Sequence, residues 1–355
     1  MSMITLIGPL AAPDMLDALG LEGRAASLRG HLHGGAEAGL GGAWPRLGAG
    51  GEDIALVEAR DNAGLRRYAA VMGLRGVAVE GRVVLGLGTG EGADWSPAQA
   101  GLMAAVAREI LALPGKRPAE DIARRLPQIA DMAQSRLLAQ NSPPATALLP
   151  PPVPGRVRLS QRRQPYADFF AVEEYDLRHR LHQGGWSEPM TRAVFISHDA
   201  VLVLPWDPVR DHVALVSQFR MGPLARHDPQ LWVLEPVAGR VDAGETPEQA
   251  ARRETAEEAG LSLERLIPLP GHYPTPGANS EFFHPYIGIA DLPEGASREG
   301  GGVEDEQEDI ATHIIPRSRL SELVETGEVR AGPLLMMSLW LDRHAARLRE
   351  GLART

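Results

Sequence analysis

The stretch from Gly239 to Leu261, GRVDAGETPEQAARRETAEEAGL, decides how this chain is read. Thr246-Pro247-Glu248-Gln249 has the make-up of a helix start. Thr246 suits the N-cap, Pro247 fits the first helical position, where no N–H is needed, and Gln249 closes a capping box. Gly260 suits the left-handed residue that ends a helix, so a helix is predicted over about 247–259. On it, Glu254 and Glu258 lie four apart and Glu257 three from Glu254, which puts the three carboxylates on one side. Such a face repels itself unless a cation sits on it. Hard oxygen donors of this kind suit Mg²⁺ or Mn²⁺. The same charges also fit a solvated acidic helix in which Arg253 pairs with Glu257 one turn on. Ala250 and Ala251 are small enough to bring the helix close against a neighbouring layer.

The whole stretch weighs against the solvated reading. Gly239, Glu245, Arg253-Glu254, Glu257-Glu258 and Gly260 stand at the spacing Gly-x5-Glu-x7-Arg-Glu-U-x-Glu-Glu-x-Gly-U, with U a bulky aliphatic residue. This resembles the signature of the Nudix hydrolases. Thr255 at the first U is the one departure, and threonine is also β-branched. The resemblance runs from about Pro165 to Leu348. It is similar to the ADP-ribose pyrophosphatase subfamily, in the branch that includes tellurite-resistance proteins with an extra N-terminal domain. Phe169-Phe170, Arg178-His179-Arg180-Leu181, Pro208-Val209-Arg210-Asp211, Gln218-Phe219-Arg220 and Glu235-Pro236-Val237-Ala238-Gly239 carry it upstream. Downstream it rests on Tyr273-Pro274-Thr275-Pro276-Gly277 and on the acidic run Glu304–Ile310. Pro276 stands sixteen residues after Gly260, the family's marker for ADP-ribose preference.

The resemblance implies an α/β/α sandwich around a mixed sheet and Mg²⁺- or Mn²⁺-dependent hydrolysis of ADP-ribose to AMP and ribose 5-phosphate by a homodimer joined through this domain. Carried residue by residue, it assigns the metal to Glu254, Glu258 and the carbonyl of Ala238, with Glu308 adding a ligand and Glu257 nearby. Glu245 and Arg253 orient the helix, and Glu306 is the base that activates water. Arg192 and Arg220 hold the diphosphate, as guanidinium groups suit paired phosphate oxygens. Phe169 stacks on adenine, and Thr275 and Glu281 contact the terminal ribose. Other readings keep the same catalytic parts: a pyrophosphatase for ADP-glucose or GDP-mannose, or a ligand sensor that does not hydrolyse. The mark of a sensor would be loss of the helix carboxylates, and all of them are present.

Composition excludes other classes. A formal net charge of −10 argues against broad binding to nucleic acid or anionic membranes. The opening MSMITLIGPLAAPDML has no basic segment before its apolar stretch, so no signal peptide is expected, and no apolar run approaches the roughly 18 residues of a membrane span. With no cysteine there is no disulfide, thiolate nucleophile or Cys-ligated zinc. A soluble cytoplasmic enzyme is the expectation.

The six prolines of Asn141–Gly155, NSPPATALLPPPVPG, disfavour both helix and ladder, so 141–155 is expected to be an extended linker. Ahead of it, 1–95 is expected to form a small β-rich or α+β domain, with strands at Ile4–Ile7, Ile54–Val57, Val77–Val79 and Val83–Leu87. A helical segment over 96–140 follows, with Pro118–Ala139 as one helix that Pro127 kinks or breaks. Leu6-Ile7-Gly8-Pro9-Leu10 resembles the first strand of the γ-glutamylcyclotransferase-like fold, although Ile7 and Pro9 replace its tyrosine and hydroxyl residue. Leu65–Leu74 also lacks the acid of that family, so an inactive or partner-binding domain is expected. Gly86–Gly92 (GLGTGEG) lacks the Gly-Lys-Ser/Thr of a phosphate loop. His31 and His33 suit a metal only with a third ligand, and otherwise read as alternation on a strand edge. Residues 156–355 are assigned to the Nudix domain.

Overall fold

The computed structural model of the chain describes residues 3–113, 117–293, 298–302 and 309–352. They fall into two compact units, one of Met1–Ser197 with Asp242–Gly244 and one of His198–Val241 with Glu245–Thr355.

In the first unit, β1 (Met3–Ile7), β2 (Gly23–His33), β3 (Arg46–Arg60), β4 (Val77–Val79) and β5 (Arg82–Leu85) form a sheet in the order β2-β3-β1-β5-β4. Only β1 and β5 run parallel in it. Its helices are α1 (Pro13–Ala18), α2 (Ala63–Val71), α3 (Ala100–Ala112), α4 (Ala119–Ala123) and α5 (Leu126–Asn141). Leu6 and Leu85 from the sheet share a core with Met15, Tyr68, Met103 and Ile129 from the helices. The expected strands lie on β1, β3, β4 and β5, which makes this the α+β layer predicted from sequence. The helix expected over Pro118–Ala139 is two helices, because Pro127 sits in the first turn of α5, where its missing N–H costs nothing. Leu65–Leu74 begins inside α2, whose cap is Asn62 accepting from the Leu65 amide at 2.7 Å.

After the Pro-rich segment, β6 (Val157–Ala167), β7 (Ala171–His179) and β8 (Met190–Ile196) make an antiparallel meander. Ala171 and Ile196 pack on Met132 of α5. Buried Glu173 of β7 lies between Arg162 of β6 and Arg136 of α5. These contacts group the meander with the first unit, which runs to Ser197.

The second unit is built on a mixed sheet of β9 (Ala200–Asp207), β10 (His212–Phe219), β11 (Trp232–Glu235), β12 (Val237–Arg240), β13 (Arg265–Pro268), β14 (Phe283–Ile289), β15 (Arg298–Gly301) and β16 (Ile310–Pro316). Its order is β13-β14-β9-β10-β16-β15, with β11 on β10 and β12 on β9. Strand β14 runs parallel to β9, and β9, β10 and β16 alternate in direction. The helices are α6 (Met221–Arg226), α7 (Pro247–Ala259), α8 (Arg317–Thr326) and α9 (Gly332–Leu352). Leu202, Leu204 and Trp206 of β9 pack with Leu320 of α8 and with Leu334, Met337 and Leu341 of α9. Alternation turns Val201 and Val203 to the opposite face, where α7 lies against β9, β10 and β12. Fully buried Ala250 and Ala251 permit that close approach. The result is helix, mixed sheet, helix. Among the described residues no helix is long and apolar enough to cross a membrane.

Candidate active site

Helix α7 begins and ends where its sequence dictates. Thr246 accepts from the Gln249 amide at 3.3 Å, and the Gln249 side chain accepts from the Thr246 amide at 2.8 Å. Gly260 closes the helix at φ 65°, a left-handed conformation that costs glycine little.

Arg253 organises the acidic side of this helix. Its Nε and Nη2 each donate to Glu245 at 2.9 Å, a bidentate pair. Its Nη1 donates to Glu254 at 2.7 Å and to Glu257 at 3.1 Å, and Nη2 also reaches the Arg240 carbonyl at 3.1 Å. One guanidinium thus holds three carboxylates and the end of β12. The Arg253–Glu257 pair of the solvated-helix reading does form, but as one arm of this larger arrangement.

Strand β12 supplies the floor. Glu258 is 3% exposed, and its Oε2 accepts the Ala238 amide at 3.1 Å. A Cβ at position 239 would overlap the Glu254 carboxyl group, so glycine there gives Glu254 its place. Gly302 donates to the Glu257 carbonyl at 3.3 Å, which ties the end of β15 to the last turn of α7. The structure therefore gathers Ala238, Gly239, Glu245, Arg253, Glu254, Glu257 and Glu258. Their donor set is all oxygen, with three carboxylates around Arg253 and a further buried one on β12. Oxygen donors of this kind, as the described residues present them, fit Mg²⁺ or Mn²⁺ better than a softer ion.

The other expected residues fall in three groups. Arg220, at the start of α6, is engaged through Nε by Glu235 Oε2 at 2.6 Å. Burial holds the Glu235 carboxyl above its ordinary range although Arg220 pulls it down. Thr275 and Glu281 share the turn before β14: the Thr275 carbonyl accepts from Ala278 at 3.1 Å and Asn279 at 3.0 Å. Asn279 in turn holds Glu281, through its amide at 3.1 Å and its carboxylate at 3.2 Å. Phe169 and Arg192 belong to the first unit. Phe169 is exposed and edge-on to Phe170, with ring centroids 4.8 Å apart, and Arg192 on β8 donates to the Thr191 carbonyl at 3.0 Å. Glu306 and Glu308 lie outside the described residues.

Sequence reading named neither Asp199 nor His284. Asp199, buried just before β9, meets His284 Nε2 of β14 at 2.8 Å, and its carbonyl accepts the Val241 amide at 3.1 Å. The pair pins the chain that leaves β12 toward α7. Its members are 85 residues apart, and no spacing could have announced it.

A family model described as the NUDIX domain matches residues 196–332. The ADP-ribose pyrophosphatase of Escherichia coli (strain K12) is 35% identical over 188 residues, which span 53% of this chain and 88% of that protein. The chain belongs to the Nudix family. It is a hydrolase acting on pyrophosphate bonds, and α7 and β12 lie within the matched stretch. Among other relatives, the ADP-ribose pyrophosphatase of Haemophilus influenzae is 32% identical over 194 residues, covering 54% of this chain and 88% of that one. The GDP-mannose pyrophosphatase of Salmonella typhimurium is 31% identical over 151 residues, covering 42% and 77%.

Proposed function

We propose that this enzyme hydrolyses ADP-ribose to AMP and ribose 5-phosphate in the presence of Mg²⁺ or Mn²⁺. The observation that carries the reading is the carboxylate face of α7, held by Arg253 and seated on β12 through Ala238 and Gly239. Relatives named for ADP-ribose match over more of the chain than those named for GDP-mannose, and Pro276 stands where the ADP-ribose subfamily has its proline.

A diphosphate is anionic and repels hydroxide. When bound, the divalent ion neutralises that charge and acidifies the attacking water. The chain's part is to hold oxygen donors in place before substrate arrives: Glu254, Glu258 and the Ala238 carbonyl toward the ion, with Glu257 beside them. Glu245 fixes Arg253, and Arg253 fixes the acids. Water adds at phosphorus, the bridging P–O bond breaks, and the proton passes to a carboxylate. We assign that base to Glu306, with Glu308 as a further oxygen ligand. Both assignments rest on the family pattern alone. Arg192 and Arg220 are assigned to the diphosphate, Phe169 to adenine, and Thr275 and Glu281 to the terminal ribose. For Arg220 this requires the guanidinium to serve phosphate while Nε stays on Glu235. A homodimer joined through the Nudix domain and a cytoplasmic location complete the proposal.

The test is a panel of ADP-ribose, ADP-glucose and GDP-mannose with product identification. The highest kcat/KM is expected for ADP-ribose, with AMP and ribose 5-phosphate as products. A higher kcat/KM for GDP-mannose would overturn the substrate assignment in favour of the second group of relatives. Ligand binding without turnover of any of the three would favour a sensor.

A further inference from the structure

The first unit holds a cluster that has no part in the Nudix chemistry. His31 and His33 alternate along edge strand β2, so both rings leave it on the same side, with centroids 4.4 Å apart. The third member comes from just beyond the glycine-rich stretch Gly86–Gly92. Backbone pairing lays 91–95 along 34–36: Gly35 donates to Glu91 at 3.1 Å, Ala36 to Ala93 at 3.0 Å and Trp95 to Gly34 at 3.0 Å. That pairing delivers Asp94, whose Oδ2 stands 3.3 Å from His31 Nε2. One ligand atom from each of His31, His33 and Asp94 lies within 4.8 Å of the other two.

We propose that His31, His33 and Asp94 form a binding site for a first-row divalent transition ion of the Zn²⁺ type, separate from the oxygen site on α7. The separations are near what coordination needs. Bonds of about 2.0–2.1 Å in a tetrahedral shell put donors about 3.3 Å apart, a distance that small side-chain rotations reach from here.

The surroundings are those of a ligand set. His31 Nδ1 faces Glu52 Oε2 at 3.3 Å, the carboxylate that fixes the tautomer and leaves Nε2 to a metal. Asp94 Oδ1 accepts the Gly34 amide at 2.7 Å, which orients the carboxylate and leaves Oδ2 toward His31. A Cβ at Gly48 would stand 2.6 Å from His33 Nε2, so glycine opposite the ring provides its room. Two imidazoles and one carboxylate favour Zn²⁺ and its neighbours over Mg²⁺. Three protein ligands leave a coordination position for water, and the partial exposure of His31 and Asp94 gives it access to solvent.

The experiment uses the full chain carrying Glu254→Gln and Glu258→Gln, stripped of metal and titrated calorimetrically with Zn²⁺. One equivalent is expected to bind, with no displacement by excess Mg²⁺. His33→Ala or Asp94→Asn should remove that equivalent. Glu52→Gln should weaken it about 10–100-fold, as loss of an outer carboxylate does elsewhere. Far-UV circular dichroism reports whether each variant folds. His31→Gln is a further ligand variant, and Co²⁺ absorption in the parent chain reads the ligand set without mutation. Asp94→Asn in the otherwise wild-type chain should leave hydrolysis in Mg²⁺ unchanged. Equal Zn²⁺ stoichiometry in the folded parent, His33→Ala and Asp94→Asn chains would overturn the proposal, as would free exchange of Zn²⁺ for Mg²⁺ or an all-oxygen Co²⁺ spectrum.

Discussion

Glu173 and Glu258 are both buried glutamates, at 1% and 3% exposure, yet their surroundings differ. Glu173 sits among cations and donors. Arg162 donates to it from Nε at 2.9 Å and again from Nη2, Gln164 donates at 3.2 Å, the Tyr175 hydroxyl bonds to it, and Arg136 stands 3.9 Å away. Burial alone would raise its carboxyl, but these partners bring it below its ordinary value. Glu258 accepts a backbone amide, and among the described residues the nearby acids Glu245, Glu254 and Glu257 share the one guanidinium of Arg253. In the first cluster two guanidinium groups face one buried carboxylate and hold two elements together. In the second the described carboxylates converge on one guanidinium, which is the arrangement the proposed metal seat rests on.

The sharpest way to break the comparison is to remove a carboxylate from the first cluster. Glu173→Gln takes from Arg162 its most buried partner, leaving it Glu109 at 3.3 Å, and should cost about 3 kcal/mol of stability, read by denaturant unfolding. The kcat of the remaining folded protein should stay near wild type; a selective fall in kcat would make Glu173 more than a tie. Gly239→Ala acts on the second cluster. Its Cβ collides with the Glu254 carboxyl group, so hydrolysis should fall about 10²-fold while the melting temperature changes little. Unchanged activity would show that the Glu254 position is not required.

Sequence made α7 legible because its information is local: cap, proline, acid spacing and terminal glycine lie within one stretch. Strand β2 ahead of its His31–His33 end and the β6–β8 meander were not legible. Arg158, Arg162 and Arg163 interrupt the apolar alternation of β6, and Glu173, Glu174 and Asp176, the partners of Arg162 and Arg163, become neighbours only once β7 folds back. Asp94 reaches His31 across 63 residues, so the third ligand missing from the sequence reading is a product of topology. Gly88 and Gly90 donate to the Pro45 and Trp44 carbonyls at 2.9 and 2.8 Å, contacts that no local spacing announces.

Smaller effects probe the frame of the second unit. Asp211 joins the β9–β10 turn to both helices of the outer layer, accepting from Arg317 Nε and Nη2 at 2.9 Å and pairing with Arg349. Burial works to raise its carboxyl, but the bonds from Arg317, Trp206 and Arg349 win and hold it at about 2. A depressed carboxyl stabilises the fold above the unfolded value of about 3.9, and that stabilisation is lost as pH falls through about 2. Asp211→Asn should therefore cost about 1–2 kcal/mol near neutrality, after allowance for its partial exposure. The gap from wild type should close between about pH 4 and pH 2. A gap independent of pH would mean that the charge is not what matters. Thr246→Ala removes the cap of α7 and should cost about 1 kcal/mol by thermal unfolding, with Thr246→Ser restoring it.

The most direct measurement is ADP-ribose hydrolysis by Glu258→Gln across an Mg²⁺ titration, with products identified. The carboxylate face of α7 as the metal seat predicts a fall in kcat of about 10²–10³-fold, a higher Mg²⁺ requirement and an unchanged circular dichroism spectrum. Wild-type turnover at wild-type Mg²⁺ demand in that variant would contradict it.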